Sequence, residues 1–390
     1  MALEPFHIHV SEEILDDLKN RLHRVRWPDQ PHNTGWDRGT ERSYLQSLVS
    51  YWKDQYDWRA QEAKLNRFSQ FRTRIDEIDI HFVYERGKGP NPLPLILTHG
   101  WPDSYLRYEK IIPLLTDPVS YGGRAEDAFD VIVPSVPGFG FSSRPARPGI
   151  NNSRVSDIWV KLMTEELGYE KFAAAGGDIG SGVTRYLAAN HPELLYGIHL
   201  TDIGIIRALM NAADESGLSE EERRYQQAAT AWVAQEGGYM SIQSTRPQTL
   251  AYGLSDSPVG LASWILEKLR AWSDCNGDLR QRFTEDELLT HIMIYWVTNT
   301  VGSAAEMYYE NAHTLPPLGY ITVPTALALF KADILPPPRE WATRHLNVTR
   351  WTSMPRGGHF TAMEEPELMA EDIRAFFRTF RTIRPAQFHG

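Results

Sequence analysis

Apolar residues near the start of the chain recur at helical spacing. Ile14, Leu15, Leu18, Leu22 and Val25 follow Ser11, and Glu12 and Glu13 fall in the first turn, where the helix dipole favours acids. Ser11 is therefore expected to cap this helix and Pro28 to end the segment. A second amphipathic helix sets Tyr44, Leu48 and Trp52 on one line with Leu45 and Val49 beside it, and is expected to run on to Tyr56 and Trp58. Both helices read as a cap packed on a main domain.

At Ile78 the period becomes two. Ile78, Ile80, Phe82 and Tyr84 alternate with Asp79, His81 and Val83, which predicts a half-buried strand at a sheet edge. Short unbroken apolar runs follow at Leu93 to Leu97, Val131 to Val133 and Phe172 to Ala175, with further strands expected at Tyr196 to Leu200, Val323 to Phe330 and Val348 to Trp351. Such runs, separated by helical patterns, indicate a mostly parallel sheet covered on both faces. Between Ile205 and Tyr320 the alternation stops, and helices are expected at Glu220 to Gln235, Gly260 to Trp272 and Glu285 to Thr298. A helical insertion of this kind is expected to be a lid over the carboxyl ends of the strands. The expected division is a helical extension (1–72), a core (73–204 and 321–390) and a lid (205–320).

Composition narrows the function classes. With 390 residues, 42% hydrophobic and 23% charged, the chain can build a large core. A net charge of −10 carries no nucleic-acid footprint. The single Cys275 excludes an intramolecular disulfide and a cysteine zinc site. No apolar run reaches the roughly 18 residues of a spanning helix, and the start lacks the features of a signal peptide, so a cytoplasmic location away from membranes is expected.

The candidate chemistry lies at strand ends. Gly176-Gly177-Asp178-Ile179-Gly180 follows one apolar run and precedes a helical pattern, the setting of a nucleophile elbow with Asp where an esterase carries Ser. A carboxylate attacks alkyl carbon well and forms an ester. His99-Gly100-Trp101-Pro102 follows the strand of Leu93 to Thr98. In the α/β-hydrolase layout its loop gives the N–H of Trp101 to an oxyanion hole, with Ile179 giving the other. Asp333 stands just beyond a strand, and His359 lies in the Gly-rich loop Arg356 to Phe360. The order Asp178, Asp333, His359 is that of nucleophile, acid and base in this fold, and it outweighs the bland reading of each residue as a turn or capping group.

These motifs, with Arg26-Trp27-Pro28, Pro137 to Ser142 and Asp256 to Leu261, resemble those of the microsomal-type epoxide hydrolases over nearly the whole chain. The resemblance implies an α/β-hydrolase fold and conversion of an epoxide and water to a vicinal diol. It also implies a covalent ester on Asp178, hydrolysed by water that His359 and Asp333 activate, with no cofactor or metal. It further implies two lid tyrosines that hydrogen-bond the epoxide oxygen. Of seven Tyr in the interval, Glu236 to Met240 selects Tyr239, and Met307 to Asn311 selects Tyr308 over Tyr309. The chain departs from the resemblance at Ile179, where Trp is frequent, so one pocket wall is expected to be less aromatic. Asp103, where Gly is frequent, is expected to put a charge near the entrance. The expected partner is a small-molecule epoxide; no nucleic acid is expected, and a homo-oligomer is compatible. Haloalkane dehalogenase chemistry and a non-catalytic binding protein are the alternatives.

Overall fold

The computed structural model describes residues 3–204 and 217–381. Its described residues form a nine-stranded sheet: β1 (Glu4–Pro5), β2 (Gln70–Ile75), β3 (Ile78–Glu85), β4 (Leu93–Thr98), β5 (Phe129–Pro134), β6 (Phe172–Gly176), β7 (Leu195–Leu200), β8 (Ile321–Leu329) and β9 (Leu346–Ser353). The spatial order is β1-β2-β3-β5-β4-β6-β7-β8-β9. From β5 through β9 every pairing is parallel, while β1, β2 and β3 join antiparallel. Every residue of β4, β5 and β6 is buried, as expected for apolar runs covered on both faces. The chain runs from β4 out to β5 and then crosses back over β4 to β6, so the carboxyl ends of β4 and β6 stand side by side.

Three expectations are corrected here. β3 is an inner strand between β2 and β5, where an edge strand was expected. The misreading comes from His81, a polar residue that is fully buried, with Nδ1 bonded to Ser135 Oγ and Nε2 to Gln70 Oε1. Its outer neighbour β2 alternates Phe71, Thr73 and Ile75 with Gln70, Arg72 and Arg74, and it begins three residues before the expected core boundary. The second helix ends at Asp54, and a separate helix starts at Trp58 because Asp57 accepts the N–H of Ala60 and caps a new first turn. Ser11 stands at the N-cap in extended conformation but makes no side-chain cap bond, and that helix closes at His23.

The interval between β7 and β8 holds helices Glu220–Glu236, Gly238–Gln243, Pro247–Asp256, Pro258–Trp272, Glu285–Thr298 and Val301–His313. Ser219 and Thr284 start two of them with capping boxes, closed by Glu222 and Glu287. Among the described residues no helix is long and apolar enough to cross a membrane.

The last helix, Pro366–Arg381, packs on the sheet through a buried carboxylate, Asp372. It bonds His199 Nε2 at 2.9 Å, Arg350 Nη2 at 2.6 Å and Thr352 Oγ1 at 2.8 Å. Burial alone would raise its pKa, but His199, Arg350 and Thr352 outweigh this and hold it well below the usual carboxylate range. A depressed folded pKa stabilises the fold above the unfolded value of about 4, and that share is lost as pH falls through the folded value. Asp372→Asn should therefore cost about 1.5–3 kcal/mol at pH 7, read from urea unfolding, because it weakens the charge-assisted bonds to the buried His199 and to the partly exposed Arg350. The gap to the parent protein should narrow in acid. An unchanged midpoint at pH 7 would refute this role.

Candidate active site

β6 ends in the turn that carries Asp178, whose φ of +57° and ψ of −128° lie in a region that non-glycine residues rarely adopt. The turn is made possible by its neighbours. A Cβ at Gly180 would collide with the carbonyl of Thr98, and one at Gly100 would land on the Asp178 carboxylate. The helix Ile179–Asn190 then starts directly behind the side chain. Asp178 Oδ1 accepts the N–H of Trp101 at 2.7 Å, and the N–H of Ile179 also bonds this carboxylate. Burial works to raise the Asp178 pKa, but His359 and the two N–H groups prevail and lower it, so the carboxylate is ionised.

His359 follows β9 in a loop fixed from several sides. Gly358 forms a bridge with Ala332, the N–H of His359 donates to the carbonyl of Trp272, and Arg107 Nη2 donates to the His359 carbonyl at 2.6 Å. The bridge brings this loop against the one after β8, so His359 Nδ1 meets Asp333 Oδ1 at 2.7 Å. Nε2, on the far side of the ring, lies 3.4 Å from Asp178 Oδ2. Burial alone would lower the His359 pKa. Asp333 and Asp178 together raise it well above the ordinary histidine value, so the ring is a cation between two carboxylates.

The helical interval closes the site with aromatic rings. Tyr239 stacks flat on Trp101, with centroids 5.0 Å apart and an angle of 5°. Tyr308 meets Trp101 edge-on at 5.7 Å and Tyr239 at 5.8 Å, and the two phenols share a hydrogen bond. Burial, then the negative charge of Asp178, pushes the Tyr239 pKa up; burial, then Tyr239 and Asp178, does the same for Tyr308, so both stay protonated. Tyr309, its neighbour in sequence, stacks on His313 at 4.1 Å instead.

All seven residues singled out from sequence therefore meet in one place: Asp178, Asp333, His359, Tyr239, Tyr308, Trp101 and Ile179. The charge expected near the entrance is a correction. Asp103 is fully buried and ion-paired with the equally buried Arg107, four residues on, while its carbonyl accepts the hydroxyl of Tyr295 at 2.5 Å. The pocket is aromatic despite Ile179, because Trp272 adds a wall against Tyr239 at 5.2 Å and His359 at 5.4 Å. Sequence reading missed Trp272, Arg107, the Lys268 ammonium 4.9 Å over the Tyr239 ring, and a further carboxylate, Asp202, bonded to the backbone N–H of Asp178. Asp202 had a usable signal, since it stands just beyond an apolar strand as Asp333 does.

Two surface cavities of about 630 and 850 Å³ lie apart from this cluster, one beside Tyr51 and Asp286 and the other beside Trp27 and Val259. Among the described residues no group of three or more His, Cys, Asp or Glu is placed to hold a metal ion.

Comparison with known proteins gives a consistent result. Residues 3–108 match the model of the epoxide hydrolase N terminus, and residues 94–248 match the alpha/beta hydrolase fold. The chain is 44% identical over 381 residues to a Stigmatella aurantiaca (strain DW4/3-1) protein named as a candidate epoxide hydrolase, covering 97% of this chain and 86% of that one. It is 37% identical to epoxide hydrolase 1 of Oryctolagus cuniculus, over 96% of this chain and 88% of the relative. Among solved structures, juvenile hormone epoxide hydrolase from the silkworm Bombyx mori superposes with a TM-score of 0.87 at 29% identity, covering 98% of this chain and 96% of that one. The Aspergillus niger epoxide hydrolase gives a TM-score of 0.85 at 28% identity, covering 97% of both chains.

Proposed function

The chain belongs to the epoxide hydrolase family, with the α/β-hydrolase fold, and on that footing we propose that Asp178 opens an epoxide through a covalent ester which His359 and Asp333 then hydrolyse. One observation carries this reading: an ionised carboxylate on a strained elbow, gripped by two N–H groups, faces His359 Nε2 at 3.4 Å on one side. A pair of protonated phenols covers the other.

Asp178 attacks an epoxide carbon as Tyr239 and Tyr308 donate to the oxygen, and the alkoxide that forms takes a proton from a tyrosine. Esterification removes the negative charge of Asp178, one of the groups that holds the His359 pKa up. His359 therefore gives up its proton, which restores the tyrosine, and becomes the neutral base that hydrolysis requires. Oriented by Asp333, it takes a proton from water as the oxygen adds to the ester carbonyl. The resulting oxyanion is held by the Trp101 and Ile179 N–H groups. Collapse expels the diol alkoxide, which is protonated by the new carboxyl group, and the starting charges return. The helical interval 220–313 acts in this account as a lid that excludes bulk water. The phenol pair and the family membership favour this chemistry over halide displacement.

Styrene-type, aliphatic and bulky polycyclic epoxides, tested as a panel, are expected to include substrates that yield vicinal diols. For such a substrate, single-turnover alkylation should stay level from pH 7 to 9, because Asp178 remains ionised and both tyrosines protonated throughout. Ester hydrolysis should not fall across the same range, because raising the pH can only favour the neutral His359 that acts as its base. No diol from any member, or hydrolysis that falls with pH, would contradict the proposal.

A further inference from the structure

The reaction above leaves Asp202 without a task, yet this carboxylate touches the elbow more directly than any other side chain beneath it. Asp202 Oδ2 accepts the backbone N–H of Asp178 at 2.6 Å. Its Oδ1 accepts the N–H of Gly204 at 3.0 Å, which fixes the carboxylate against its own loop. Its carbonyl accepts the hydroxyl of Ser181 at 2.6 Å, in the first turn of the helix after the elbow. The end of β7 is thus tied both to the strained residue and to the helix that follows it.

Such a tie answers a physical need. A non-glycine residue at φ +57° costs on the order of 1–3 kcal/mol and persists only where its surroundings over-determine it. The N–H of Asp178 points away from its own helix, so its partner must come from elsewhere, and a carboxylate makes a stronger bond than a neutral acceptor. Gly177 keeps the approach open, since a Cβ there would lie 2.5 Å from Thr201 Oγ1. The same turn aims the Asp178 carboxylate and the N–H of Ile179, so its geometry bears on both half-reactions.

We propose that Asp202 is a positioning residue for the nucleophile, holding Asp178 in its strained conformation through a carboxylate bond to the backbone N–H. The proposal rests on Asp178 being the nucleophile. The charged and titratable groups facing Asp202 are Asp178 at the elbow, Asp333 after β8, His359 after β9, Arg185 on the elbow helix, Tyr225 on Glu220–Glu236 and Tyr108 after β4. Burial first, then repulsion from Asp333, pushes the Asp202 carboxyl up to about 6, against opposing pulls from His359 and the Asp178 N–H. The tie is strongest above that value, where Asp202 is ionised, and weakens as pH falls through it.

Rapid-quench mass spectrometry with excess enzyme and a substrate epoxide from the panel reads both the alkylation rate and the residue alkylated. Asp202→Ala should slow alkylation at pH 8 about 10- to 100-fold, the span expected for losing a hydrogen bond to a charged acceptor, with the adduct still on Asp178. Asp202→Asn keeps a neutral acceptor oxygen, so it should recover part of the rate at pH 8 and hold that rate without a decline below about pH 6. The parent enzyme is expected to fall to the level of Asp202→Asn as Asp202 is protonated there. Parent-like alkylation of Asp178 by Asp202→Ala would overturn this proposal alone. If that variant does not fold, Asp202→Asn decides: a decline below pH 6 identical to the parent's overturns the proposal. An adduct on another residue would overturn the nucleophile assignment and this proposal with it.

Discussion

Replacing His359 with Gln should strand the enzyme as a stable ester. Alkylation needs the ionised Asp178 and the two phenols, none of which the substitution removes, so an epoxide should still react once. Hydrolysis needs a base, and an amide cannot take a proton from water. Loss of a positioned general base typically costs 10²- to 10⁴-fold, which sets the expected fall in ester hydrolysis. Glutamine keeps much of the imidazole's reach, so the loop held by Arg107 and by the carbonyl of Trp272 should stay in place. Intact-protein mass spectrometry should show one added substrate mass, and peptide mapping should locate it on Asp178. Steady turnover by the variant, or an adduct elsewhere, would refute the assigned roles.

The second large effect is expected on the opposite face of the pocket. Tyr239→Phe or Tyr308→Phe should each slow alkylation and leave ester hydrolysis almost unchanged, because the hydroxyls act on the departing epoxide oxygen. By analogy with removal of an oxyanion-hole donor, one hydroxyl is worth about 2.7–4 kcal/mol, or roughly 10²- to 10³-fold in rate. The surviving phenol should cover part of a single loss, since the two share a hydrogen bond and both border Trp101. The double variant has no such cover and should lose at least ~10⁴-fold in alkylation. The packing should survive, because Phe keeps one ring stacked on Trp101 and the other edge-on to it. Alkylation at the parent rate by the double variant would show that neither hydroxyl acts on the oxygen.

What could be read from the sequence follows from how strongly each feature is written in local physics. The strands β4 to β6 were legible because burial on both faces demands unbroken apolar runs, and the elbow because a strained turn demands small neighbours at Gly176 and Gly180. Asp333 and His359 were legible through chain order. Long-range polar satisfaction was not. His81 looked solvent-facing until Gln70 and Ser135 were seen to satisfy it, and Asp103 looked like an exposed charge until Arg107 was found paired with it. β2 stayed hidden because Arg72 and Arg74 dilute its pattern. The choice between Tyr308 and Tyr309 rested on motif alignment, because adjacent helical residues of one type carry no periodicity signal to separate them. Trp272 was visible only as the end of a helix, since its contacts to Tyr239 and His359 join distant parts of the chain.

The route of the added oxygen tests the central claim most directly. In the covalent route water attacks the carbonyl carbon of the Asp178 ester and never touches the substrate. The first diol therefore takes its new oxygen from the carboxylate, and solvent oxygen replaces it in the protein. A single turnover in heavy-oxygen water, with enzyme in excess over epoxide, should give unlabelled diol and a labelled peptide containing Asp178. Label in the diol of that first turnover would mean that His359 and Asp333 deliver water straight to the epoxide. Asp178 would then serve only to position or to balance charge.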